Sequence, residues 1–118
     1  MIKDRGLITV HCWYKAEEEA RISLFPNTYL WDQSIGSKSR KGHQSQLVYV
    51  DGIAIFPNDQ IIPFMDTARF NLYFEPLPPE CMTFWLWEQT QEPFTFECFD
   101  ISRSETDEYW VEVIAAPF

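Results

Sequence analysis

Residues 66–88 read DTARFNLYFEPLPPECMTFWLWE. Two alternating runs flank a proline-rich turn. In the first, Ala68, Phe70, Leu72 and Phe74 share one face, and Arg69, Asn71, Tyr73 and Glu75 take the other. Side chains on a strand alternate with period 2, so this run predicts a half-buried strand. Pro76, Pro78 and Pro79 stop the ladder, because proline has no N–H to donate and a fixed φ. In the second run, Phe84 and Leu86 oppose Thr83, Trp85 and Trp87. The expected core is therefore Phe70, Leu72, Phe74, Phe84 and Leu86.

Outward from this stretch, the same pattern repeats in short segments. Alternation predicts strands at 8–14, 21–25, 28–32, 47–50, 53–56, 94–101 and 108–114. Asp51-Gly52 lies between two apolar runs, LVYV and IAIF, and predicts a tight hairpin. Ile61, Ile62 and Phe64 are interrupted by Pro63, as in an edge segment. KAEEEA at 15–20 is too short for an independent helix and reads as an exposed connection. Residues 33–46 form the one long polar stretch and carry Lys38, Arg40, Lys41 and His43. Short strands with turn signals between them, and no 3.6-residue period of helical length, predict an all-β fold. The expectation is one domain over 1–118, an antiparallel β-sandwich of eight or nine strands, jelly-roll or immunoglobulin-like.

Composition agrees with a sheet. Aromatic residues make up 17% of the chain, with 10 Phe, 5 Trp and 5 Tyr, and aromatics suit a pleated surface. The formal net charge is −9. Such a field repels phosphate, so neither nucleic acid nor an anionic membrane is an expected partner. No run is long and apolar enough for a membrane span. The N-terminal residues lack the apolar core of a signal peptide. A cytoplasmic protein with free thiols is the expectation for Cys12, Cys81 and Cys98.

Residues 70–88, FNLYFEPLPPECMTFWLWE, resemble a β-sandwich domain of Bacteroidetes proteins with an F-x-L-x-F-x-P-L-P core followed by an F-x-L-x-E strand. That domain occurs alone, and also ahead of thioredoxin-like domains in secreted proteins. NTYL at 27–30 and VEV at 111–113 sit in similar places. The resemblance implies a structural role for the aromatic faces and the P-L-P turn, and carries over no catalytic residue. Trp85 and Trp87 are departures from its pattern.

No constellation predicts an enzyme. His11 and Cys12 are adjacent on a strand, so they face opposite ways and do not converge on one ion. Cys12 and Cys98 read as small buried hydrophobes, while Cys81 in the turn is expected to be accessible. His43 has no partner at a recognisable spacing. Glu17, Glu18 and Glu19 read as a solvated turn, not the separated acid and base of a glycosidase. No metal or other cofactor is expected. Trp85, Trp87, Tyr73 and Trp110 remain. Aromatic residues favour burial, which makes core the first expectation for them. If exposed, they form a stripe for a protein partner, for a second copy in a homo-oligomer, or for a glycan. The expected function is a non-catalytic interaction or structural domain, with a carbohydrate- or small-ligand-binding module as the alternative.

Overall fold

A computed structural model describes residues 6–32, 44–88 and 94–117. It is all-β, with no helix among those residues. Among the described residues ten strand segments occur in chain order. They are β1 (Ile8–Lys15), β2 (Ala20–Ile22), β3 (Thr28–Asp32), β4 (Gln44–Asp51), β5 (Gln60–Ile62), β6 (Thr67–Phe74), β7 (Thr83–Glu88), β8 (Phe94–Ser102), β9 (Glu108–Glu112) and β10 (Ile114–Pro117). Eight of them form one sheet in the order β10-β8-β7-β3-β4-β6-β1-β9, and β2 and β5 form a separate two-stranded ribbon.

β9 and β10 stand at opposite ends of that order, yet only Val113 separates them in the chain. The two ends of the sheet must therefore meet, which requires the sheet to curl on itself. The first half of this closing stretch pairs with β1 and the second half with β8. The β1–β9 pairing is parallel, with Thr9 opposite Glu108 and Trp13 opposite Glu112. That departs from the all-antiparallel expectation. Parallel pairing is open to strands so distant in sequence because no short turn has to join them.

The interior follows the alternation of the strands. Ile8, Val10 and Cys12 from β1 meet Ala68, Phe70, Leu72 and Phe74 from β6 on the buried side. Phe84 and Leu86 of β7 are buried in the same core. Full burial of each Phe or Leu contributes about 1.5–3 kcal/mol, so these positions dominate stability. The two runs of the 66–88 stretch do not pair with each other, because β3 and β4 lie between them.

Two further expectations are corrected. Residues 53–56 do not return as the second strand of a hairpin with β4. They turn away, and Ile55 makes an isolated parallel bridge to Leu24. Leu24 N–H donates to Ala54 O at 2.8 Å and Phe56 N–H to Leu24 O at 2.9 Å. β4 has instead taken β3 and β6 as neighbours. Gly52 still supplies a left-handed turn at φ +95. Cys81, expected to be accessible, is fully buried.

The reason for that burial is Arg103. Its guanidinium offers five N–H donors, and each finds an acceptor. Nε donates to Asp107 Oδ1 at 2.7 Å, and Nη2 to Asp107 Oδ2 at 3.2 Å and Leu77 O at 3.3 Å. Nη1 donates to Pro78 O at 2.8 Å and Cys81 O at 3.0 Å. Prolines deprive the 76–82 turn of ladder partners, and Arg103 satisfies the carbonyls that result. Asp107 also accepts from Tyr109 Oη at 2.8 Å, and Tyr109 Oη accepts from Ser104 N–H at 2.9 Å. The turn and the 103–107 loop are thus fastened to the start of β9.

Candidate functional site: an outward aromatic face on β9, β1, β6 and β4

The outward face of β9, β1, β6 and β4 is built by the residues that alternate with the core set. Strand register arranges them in rows. Trp110, His11, Asn71 and Asp51 lie side by side, and Glu108, Thr9, Tyr73 and Tyr49 form the adjacent row. A third row holds Glu112, Trp13 and Arg69. A β-bulge at Leu47/Tyr49 leaves Val48 as an extra residue on β4. The bulge turns both Val48 and Tyr49 outward, at 51% and 61% exposure.

His11 is the fixed point of this face. Its Nδ1 lies 2.7 Å from Asn71 Oδ1, and its Nε2 lies 3.0 Å from Glu108 Oε2. Both neighbours are acceptors, so the imidazolium, which donates from both nitrogens, satisfies both at once. The Glu108 carboxylate accordingly holds the imidazole above its ordinary value. Partial burial opposes that rise, and Asn71 adds to it. The Trp110 ring lies against the imidazole with centroids 4.9 Å apart and planes 22° apart. Trp110 is nevertheless 63% exposed. One face of its indole is held, and the rest is open to solvent.

The four aromatic residues, read first as core and, if exposed, as one stripe, divide into two groups. Tyr73 and Trp110 share the face just described, and Tyr73 meets Tyr49 with ring centroids 5.6 Å apart. Trp85 lies on β7, beyond β4 and β3. It is half-buried on the outward side, opposite Trp31, and its indole N–H donates to Asp100 Oδ1 at 3.2 Å. Trp87 contributes its backbone to β7, opposite Tyr29; its side chain lies outside the described part of the structure. Lys38, Arg40, Lys41 and His43 lie outside the described residues. His11, Asn71, Glu108 and Tyr49 complete the face around Trp110 and Tyr73. The clue to them in the sequence was their position on the polar side of alternating strands, but their mutual contact depends on strand order.

His11 and Cys12 do face opposite ways, Cys12 being buried and His11 part-exposed. Burial pushes the Cys12 thiol far above its ordinary value, and the nearby Cys98 adds to that. Burial also raises Cys98. These are poor nucleophiles, because the thiolate is the reactive form. Among the described residues no group of three His, Cys, Asp or Glu is placed to hold a metal. An open trough of about 340 Å³ beside Tyr49 is lined by Pro26, Leu47, Val48, Tyr49, Val50 and Ile55. Its lining holds no acid–base pair.

Fold and face define an all-β domain with a preorganised aromatic and acidic outer surface. No family model, no curated protein and no solved structure matches the chain.

Proposed function

We propose that this chain is a non-catalytic interaction domain that engages a protein partner through the outward face of β9, β1, β6 and β4. The observation that carries this reading is Trp110, 63% exposed yet stacked on a histidine that is itself tied to two strands. A large aromatic side chain held rigid in solvent loses little entropy on binding, and tryptophan is enriched where interfaces concentrate their energy. Tyr73 and Tyr49 extend the same surface. The acids around it and the net charge of −9 argue against nucleic acid as the partner.

A jelly-roll or immunoglobulin-like sandwich is our reading of the curled sheet. Its support is the edge-on contact of Phe84 on β7 with Tyr109 on β9, ring centroids 5.0 Å apart, between strands at different ends of the sheet order. The resemblance of residues 70–88 to the Bacteroidetes sandwich domain belongs with it.

A glycan is the second reading, because an exposed indole is also a stacking platform for a sugar ring. Parallel peptide and glycan arrays, probed with the wild type and Trp110→Ala, separate the two. Peptide recognition lost in the variant supports the proposal. Glycan recognition lost in the variant replaces it with the second reading. Binding that is unchanged by Trp110→Ala on both arrays removes this face from consideration.

A further inference from the structure

The face described above ends at a strand edge. Thr9 N–H donates to Asp107 O at 3.0 Å, and Val113 N–H donates to Trp13 O at 2.9 Å. In a parallel pair, alternate residues turn their backbone groups toward the neighbour. Residues 107, 109, 111 and 113 therefore address β1, while Glu108, Trp110 and Glu112 direct N–H and C=O the other way. Among the described residues no strand pairs with β9 on that side. β8 precedes β9 in the chain but takes β10 as its neighbour instead.

From this geometry we propose that β9 captures an extended basic peptide segment by strand addition, with basic residues at alternate positions. The proposal rests on the interaction reading of the same face and names its partner. Among the described residues nothing pairs with the backbone groups at 108, 110 and 112, and these supply the ladder. Side chains directly opposite on neighbouring strands lie about 4.5–5.5 Å apart, so three successive outward residues of the added strand meet Glu108, Trp110 and Glu112. Both carboxylates attract cations, Glu108 while also accepting from His11, and an indole face attracts a cation through its ring quadrupole. The residues between, on the opposite side of the added strand, flank half-buried Val111, which favours small apolar side chains there.

Charge also disfavours the commonest alternative occupant. A second copy pairing antiparallel about Trp110 would set Glu108 of one copy against Glu112 of the other, twice over. Like charges directly opposite destabilise a strand pair. Acids on an open edge are an ordinary defence against self-pairing; here the same acids leave the edge open to a strand of opposite sign.

The test uses the full chain and short synthetic peptides that alternate lysine with valine. A matched peptide carries glutamate in place of lysine. Binding is followed by backbone amide shifts and tryptophan fluorescence. The lysine peptide is expected to bind at least about tenfold tighter than the glutamate peptide, with the largest shifts at 108–112. N-methylation of one alternate set of peptide amides should abolish binding while the other set is tolerated. Glu108→Lys with Glu112→Lys should reverse the preference toward the glutamate peptide, and this reversal keeps the test sound if single variants lose stability. Equal binding of the two peptides, tolerance of both methylated sets, or a dimer that forms through β9 would each overturn the proposal. If such a failure is accompanied by peptide recognition that Trp110→Ala abolishes, the interaction face stands and only its strand-addition partner falls.

Discussion

His11→Gln isolates the electrostatic part of the link between β1 and β9. Glutamine keeps a polar side chain on the outward face but cannot be charged. In the wild type the imidazole sits 3.0 Å from the Glu108 carboxylate, with the two side chains 27% and 46% exposed. Pairs this exposed are screened by water, so the interaction is worth about 0.2–1 kcal/mol and not the value of a buried pair. The sign follows from the raised pKa of His11 relative to 6.5. A raised folded-state value means that the folded protein binds the proton more tightly than the unfolded chain. The stabilisation is complete below about pH 6.5 and is lost as pH rises through the folded-state value. Thermal melts of wild type and variant should therefore differ most at about pH 5.5 and converge in this respect as pH rises through the folded-state value. For a domain of this size, up to 1 kcal/mol corresponds to a change in that difference of roughly 3–6 °C. A proton NMR titration of the imidazole should place its midpoint above 6.5, and Glu108→Gln should bring it back toward the ordinary range. A midpoint at or below the ordinary value, or a stability difference independent of pH, would refute the reasoning.

Arg103→Ala should destabilise the domain by about 2–4 kcal/mol, because it removes the donors that Arg103 gives to the Leu77, Pro78 and Cys81 carbonyls and the cation beside Asp107. Urea unfolding measures this, and Arg103→Lys should recover little, since an ammonium cannot supply the planar fork. Gly52→Ala should lower stability by about 1–3 kcal/mol: φ is +95 and an added Cβ would lie 2.9 Å from Arg69 O. A variant as stable as wild type would show that the 51–53 turn relaxes freely. Native protein should react slowly with a thiol reagent at all three cysteines, with Cys98 the fastest, because Cys12 and Cys81 are buried and Cys98 only half so. Rapid labelling of Cys81 before unfolding would contradict the sealed 76–82 turn.

The strand faces were legible in the sequence because period 2 is a local property. Phe70, Leu72, Phe74, Phe84 and Leu86 could be assigned inward without knowing any neighbour, and all five are buried. Strand order was not legible. IAIF after Asp51-Gly52 satisfied the local hairpin pattern, but β4 gained more by pairing along β6, and residues 53–56 went to Leu24. The candidate site was half legible for the same reason. Trp110 and Tyr73 stood out by residue type. His11 could be read only beside Cys12, because its partners, Asn71 and Glu108, lie 60 and 97 positions away. Arg103 was hidden in a polar loop whose only local hint was an acid four residues on, at Asp107.

The long separation between His11 and Glu108 also bears on how the protein is made. Translation delivers about 5–20 residues per second. β1 is therefore complete roughly 5–20 s before the strand that will cover its flank has been synthesised. In that interval β6 can join β1, but the backbone groups that will meet β9 remain open and the curled sheet has no seal at that side. Pairings so remote in sequence are slow to form even in a finished chain. The nascent protein thus passes through a window in which an unpaired strand of alternating apolar character is exposed, and holdase chaperones act on such edges. Expression yield should depend on the closing stretch 108–117 more than its short length suggests.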